Sequence, residues 1–168
     1  LNFQLPKVYP LTDPRISGVS HAEQVKGLIQ GGASLIQLRD KTASPTDFYK
    51  EAVEAIRIAH SHNVKIIIND RVDIAMAVGA DGVHLGQDDL PPREARKLMG
   101  LDAIIGFSTH SEDQAVAALE LPIDYLAFGP IFPTRTKDDH DPIVGLERLT
   151  SIAKIVGDSS GDPSASTV

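Results

Sequence analysis

Apolar residues in this chain come in short bursts separated by longer stretches of mixed character. Six bursts, rich in β-branched and apolar side chains, run from Val8 to Asp13, Leu35 to Asp40, Lys65 to Asp70, Gly82 to Gly86, Ala103 to Ser108 and Tyr125 to Ile131. Each reads as a parallel strand covered on both faces. Between them the period lengthens. From Asp47 to His62, residues Phe48, Ala52, Ala55, Ile56 and Ala59 share one face of a helix. Ser44-Pro45, Pro91-Pro92 and Ser111 with Asp113 supply helix starts, and Gly31-Gly32, Gly79 and Gly100 stand where glycine ends a helix in a left-handed turn. Ala33-Ser34-Leu35, Ala80-Asp81-Gly82 and Ile123-Asp124-Tyr125 occupy equivalent helix-to-strand junctions, which predicts a tandem βα architecture. Six units can be counted, the sixth helix running from Leu146 to Val156. Residues 1–156 are expected to form a single domain without recognisable strands seven and eight. The remainder, Gly157 to Val168, is poor in apolar residues and reads as a flexible or disordered tail.

Composition narrows the partners. A chain of 168 residues, 42% of them hydrophobic, suits one core. A formal net charge of -7 offers no broad basic field for nucleic acid or an anionic membrane. There is no cysteine, hence no disulfide frame and no thiolate metal site. No apolar run approaches the roughly 18 residues of a spanning helix, and residues 1–6 lack a basic segment followed by an apolar stretch. A cytoplasmic location is the expectation.

Polar residues gather where each strand finishes, the face on which βα barrels carry their sites. Strand two ends in Gln37-Leu38-Arg39-Asp40-Lys41, and the two-residue period puts Gln37, Arg39 and Lys41 on one side, where two cations could meet an anion. A solvated edge with ordinary ion pairs reads equally well from that run alone. Strand three ends in Asn69-Asp70 and the loop after strand four holds Gly86-Gln87-Asp88-Asp89, so carboxylates from adjacent units could converge as Mg2+ requires. A salt-bridge network is the alternative. Ser108, after Gly106-Phe107, precedes a helix start and offers a hydroxyl to phosphate, or merely a cap. The loop after strand six, through Thr134, Arg135, Thr136 and Lys137 to Asp141, is long for so economical a chain and could close over a phosphorylated ligand, or simply be flexible. His84, inside strand four, reads as a packed, hydrogen-bonded residue rather than a base. His60 and His62, two apart on a helix, would face different directions and do not suggest zinc.

Taken together, Gln37-Leu38-Arg39-x-Lys41, Asn69-Asp70-Arg71, Gly82-Val83-His84-Leu85-Gly86-Gln87-x-Asp89, Gly106-x-Ser108 and Gly129-Pro130-x-Phe132-x-Thr134-x-Thr136-Lys137 resemble the thiamine phosphate synthase family, and Tyr9-Pro10-Leu11-Thr12-Asp13 is similar to its first strand. The resemblance implies an α/β fold of the (β/α)8 TIM-barrel type, here expected to be incomplete at the C-terminus with about six βα units, because the family's last two strands have no counterpart. Open edges on strands one and six would leave backbone groups unpaired, and pairing with a second subunit would make a homo-oligomer. The implied activity is a transferase reaction in which 4-amino-5-hydroxymethyl-2-methylpyrimidine diphosphate and hydroxyethylthiazole phosphate give thiamine phosphate and pyrophosphate. By the same resemblance Asp70 and Asp89 would hold Mg2+. Gln37, Arg39, Lys41, Asn69, Ser108 and Lys137 would grip the diphosphate and pyrimidine, with Lys137, Arg39 and Ser108 as catalytic residues. Thr134 and Thr136 would receive the thiazole phosphate. Two rival readings are a thiazole tautomerase-like enzyme, which needs no paired acids, and a non-catalytic phosphate-binding paralogue.

Overall fold

In the computed structural model, residues 4–133 and 142–160 are described. Six parallel strands hydrogen-bond in sequence order: β1 (Leu11–Thr12), β2 (Leu35–Leu38), β3 (Lys65–Asn69), β4 (Gly82–Leu85), β5 (Ile104–Thr109) and β6 (Tyr125–Phe128). The intervening helices are the short α1 (Pro14–Ser17), then α2 (His21–Gln30), α3 (Pro45–His60), α4 (Val72–Val78), α5 (Pro92–Met99) and α6 (Glu112–Ala118), with α7 (Gly145–Ser160) after β6. Tandem βα order is therefore present as expected.

Strand side chains divide by parity. Ile36 and Leu38, Ile66 and Ile68, Val83 and Leu85, Ile105 and Phe107, and Leu126 and Phe128 belong to one core with the helix residues Val25, Phe48, Ala52, Ile56 and Ile152. Each fully buried aliphatic side chain there contributes roughly 1.5–3 kcal/mol through removal from water. The opposite parity faces inward. Leu35, Ile67, Ile104 and Tyr125 pack together with Leu5 and Tyr9 against them. The hydroxyls of Tyr9, just before β1, and Tyr125, in β6, lie 2.9 Å apart, and the rings meet edge to face at 5.7 Å. First and last strands thus approach across the interior, so the sheet is curled, with β1 and β6 at its edges.

Two glycines make this packing feasible. A Cβ at Gly82 would sit 1.9 Å from the Ile104 carbonyl oxygen, and one at Gly106 would sit 2.0 Å from Cζ of Tyr125. The repeat seen at the junctions has a structural cause as well: Asp81 and Asp124 accept from the backbone N–H groups of Ile66 and Ile105, each pinning the start of the preceding strand.

Several boundaries move. The first strand is shorter than Val8 to Asp13, since Val8 is exposed and pairing begins only where Gln37 N–H donates to the Pro10 carbonyl. β6 stops at Phe128 rather than Ile131, ahead of Pro130, which has no N–H for a ladder. α3 starts at Pro45 on the Ser44 cap and ends at His60, leaving His62 in the following turn instead of on the helix. α7 continues past Val156 through Ser160, so Gly157–Ser160, assigned to the tail, are helical. Residues 161–168 lie outside the described residues.

Candidate functional site

Beyond their last ladder bonds the strands open into a cleft of about 620 Å³. Its lining includes Arg39, Lys41, Asn69, Asp70, Asp89 and Ser108, six of the residues singled out from the sequence. They come together because each lies at, or a few residues beyond, the carboxyl end of a parallel strand, and parallel strands bring those ends to one rim.

Charge within the cleft is organised in pairs. Arg39 Nη1 donates to Asp13 Oδ2 at 2.7 Å, both side chains being largely buried. Lys41 pairs with Asp70. Asp70 takes a left-handed backbone conformation, φ 63°, immediately after β3, a turn that aspartate tolerates better than bulkier residues. Asp89 is bound by the chain's own turn, accepting from the Gly86 N–H at 2.6 Å. Burial pushes its carboxyl above the ordinary carboxylate range. The Gly86 bond opposes that shift, whereas the neighbouring Asp70 carboxylate raises it further. Two acids this close repel when both are ionised, and a proton or a cation relieves the repulsion. Hard divalent cations with oxygen ligands fit such a pair, with the remaining positions left to water and ligand oxygens.

Gln37 is not among the residues that line the cleft: it is buried on the inner face of β2, and among the described residues its Oε1 has no partner. His84 is buried, its Nδ1 2.9 Å from the Tyr125 hydroxyl and its Nε2 2.8 Å from Ser108 Oγ, in keeping with the expectation of a hydrogen-bonded histidine. Gln87 Nε2 donates to the Ser108 carbonyl at 2.6 Å and so ties the β4 loop to β5. Ser108 is not the cap of the following helix. That role belongs to Ser111, whose hydroxyl accepts from the Gln114 N–H.

Thr134, Thr136 and Lys137 lie outside the described residues, so their place relative to the cleft is not part of the structure. His60 points away from the cleft and reaches Asp81 at 2.9 Å. Sequence reasoning missed Asp13, Arg15, His110, Gln114 and the tyrosine pair. Asp13 carried a signal, since it follows β1 as Asp70 follows β3. Arg15, His110 and Gln114 also line the cleft but stand in loops and helix starts where polar residues are ordinary.

Fold and site define a parallel α/β protein with an acid-and-base-lined cleft at the strand ends. A family model described as thiamine monophosphate synthase matches residues 8–159. The thiamine-phosphate synthase of Ruminiclostridium cellulolyticum is 45% identical over 150 residues, 89% of this chain and 71% of that protein. That of Chlorobium phaeovibrioides is 45% identical over 151 residues, 90% and 71% of the two chains. Among solved structures, thiamine phosphate pyrophosphorylase from Pyrococcus furiosus superimposes with a TM-score of 0.76 at 34% identity, covering 87% of this chain and 68% of the other. The chain belongs to the thiamine monophosphate synthase family, and it spans about seven-tenths of the length of these relatives.

Proposed function

We propose that this protein is a thiamine phosphate synthase, a transferase that alkylates the nitrogen of hydroxyethylthiazole phosphate with 4-amino-5-hydroxymethyl-2-methylpyrimidine diphosphate and releases pyrophosphate. The observation that carries the reading is the convergence of Asp70 and Asp89 beside Arg39, Lys41, Asn69 and Ser108 in one cleft, in a chain of this family. Synthase names on relatives 45% identical support it.

The bond from the pyrimidine methylene carbon to the diphosphate oxygen breaks with its electron pair leaving on pyrophosphate. The thiazole nitrogen then supplies the pair for the new carbon–nitrogen bond. Such a dissociative step is limited by negative charge accumulating on the leaving group, so preorganised cations contribute most. Asp70 and Asp89 would hold Mg2+, which when bound supplies positive charge to the diphosphate. Arg39 is held by Asp13 and would offer its remaining N–H groups to a phosphate oxygen. Lys41 exchanges Asp70 for the diphosphate, Ser108 donates its hydroxyl, and Gln37 with Asn69 holds the pyrimidine. Lys137 completes the catalytic set, and Thr134 and Thr136 take the thiazole phosphate. Enclosing both reactants favours capture by the thiazole over capture by water. The six-strand curl is read as part of the family's (β/α)8 barrel, working in the cytoplasm on small phosphorylated substrates. Among the described residues no helix is long and apolar enough to cross a membrane.

Purified protein incubated with both substrates should form thiamine phosphate and pyrophosphate with Mg2+ and stop when EDTA is added. Conversion of a thiazole isomer without the pyrimidine would instead indicate a tautomerase. Diphosphate binding without product would indicate a binding paralogue. The paired acids favour the synthase over both.

A further inference from the structure

The ladder between β5 and β6 gives way to side-chain bonding where the two strands part. Just beyond Phe128, the Gly129 N–H donates to the Thr109 carbonyl at 3.1 Å. In a parallel ladder the Gly129 carbonyl would next accept from the N–H two residues past Thr109, that of Ser111. β5 ends at Thr109, however, and Ser111 becomes the cap of α6. The group that meets the Gly129 carbonyl is instead the His110 ring, with Nδ1 2.6 Å from the oxygen. A carbonyl oxygen only accepts, so Nδ1 carries the hydrogen whether the ring is neutral or an imidazolium. His110 is itself held from α6, its backbone N–H donating to Gln114 Oε1 at 2.7 Å. The returning chain fastens at the next residue: the Val144 N–H donates to the Pro130 carbonyl at 2.9 Å, and the Val144 side chain sits in the core. Gly129 and Pro130 are thus the stem at which the segment leaves β6 and comes back, and His110, which lines the cleft, grips that stem from the β5 side.

We infer that His110 is a positioning residue, whose Nδ1–H fixes the Gly129 carbonyl and so sets the direction in which the chain continues from β6 to Thr134, five residues past Gly129. This deepens the proposed function and rests on it for one point, that Thr134 and Thr136 take the thiazole phosphate. Pro130 has no N–H and Gly129 no side chain, so this corner has little with which to fasten itself, and the imidazole supplies an anchor from β5. A misdirected stem would displace the groups that follow it, and hydrogen bonds weaken steeply outside their range of distance and angle. Of the residues assigned to the diphosphate and its Mg2+, only Lys137 lies on this segment. Arg39, Lys41, Asp70 and Asp89 stand beyond β2, β3 and β4 and do not depend on the His110 bond. The effect of losing His110 should therefore fall mainly on the thiazole phosphate.

Three substitutions test the bond by its chemistry. Asparagine carries an N–H group on the same Cγ that bears Nδ1 in histidine, whereas glutamine sets its amide one carbon further out. His110→Ala is expected to raise KM for hydroxyethylthiazole phosphate about tenfold, the worth of one hydrogen bond. Calorimetric binding of inorganic pyrophosphate with Mg2+ should weaken far less. His110→Asn should recover most of the lost affinity and His110→Gln little of it. Hydrogen exchange adds a readout without turnover: the Val144 amide, bonded to Pro130 beside the anchor, should exchange faster in His110→Ala than in His110→Asn, with the amides of β2 to β4 unchanged. Should His110→Ala fail to fold, the contrast between the Asn and Gln variants decides the matter. Equal behaviour of those two variants, an unchanged KM in His110→Ala, or parallel losses for both ligands with a lowered thermal midpoint would overturn the inference, the last marking His110 as a merely structural residue. If the native protein makes no thiamine phosphate, the proposed function fails, while the exchange pattern still shows whether His110 holds the stem.

Discussion

Leu35, Ile67 and Ile104 face the same interior as Gln37, Asn69 and Ser108, only a pleat or two earlier along the same strands. The lower layer packs with Tyr125, Leu5 and Tyr9, with Gln37 of the upper layer standing beside Ile67 in the β2–β3 register. In the upper layer every side chain carries a group that donates or accepts. Backbone geometry is shared, so the contrast teaches that position along a parallel strand, rather than face or burial, separates residues that hold the fold from residues that do chemistry. Tyr125 joins the layers, its ring packed below and its hydroxyl bonded above.

That division can be attacked from both sides. The severest change is Gly82→Ala. Its Cβ would be driven into the carbonyl of Ile104, and because that atom is backbone the β4–β5 pairing must give way. Circular dichroism should show loss of cooperative unfolding. Ile67→Ala, in the lower layer, removes a fully buried side chain and should cost about 2–5 kcal/mol in urea unfolding. Magnesium-dependent pyrophosphate binding should survive in the fraction that remains folded. Asp89→Asn, in the upper layer, should do the converse. Turnover is expected to fall at least about a hundredfold, or roughly 2.7 kcal/mol of transition-state stabilisation. Its thermal midpoint should hold or rise, because the repulsion from Asp70 is gone. A large fall in stability for Asp89→Asn would erase the distinction between the layers.

The smallest effect concerns pH. His21 is fully buried between β1 and α3, its Nδ1 2.6 Å from Thr12 Oγ1 and its ring against Phe48, and among the described residues its Nε2 has no partner. Burial lowers its pKa, and the charges of Asp40, Glu51 and Asp13 only partly oppose this. The folded state therefore binds this proton less readily than the unfolded chain. Its contribution to stability is complete above the ordinary histidine value near 6.5 and declines as pH falls through it. Thermal midpoints at pH 7.5 and 5.5 should show a drop in the native protein that is smaller in His21→Gln.

Much of this was legible in the residues. The apolar bursts, the Ser44 and Ser111 caps and the repeated Asp81 and Asp124 junctions specify a succession of βα units, because strand and helix periods, caps and turns are local properties. The same residues also placed Arg39, Lys41, Asp70, Asp89 and Ser108 near strand ends. What sequence reading did not yield was pairing. Nothing local says that Lys41 meets Asp70, that Asp13 orients Arg39, or that His84 stands between Ser108 and Tyr125.

Periodicity along the chain was thus enough for the architecture and for the side of the sheet on which polar groups gather, since both depend on neighbours a few residues away. The curl that sets Tyr9 against Tyr125, 116 residues apart, came only from packing the whole sheet. Distances across a curled interior depend on strand register, twist and side-chain volume together, so the meeting of His84 with Ser108 and Tyr125 and the pairing of Lys41 with Asp70 are properties of the assembled molecule.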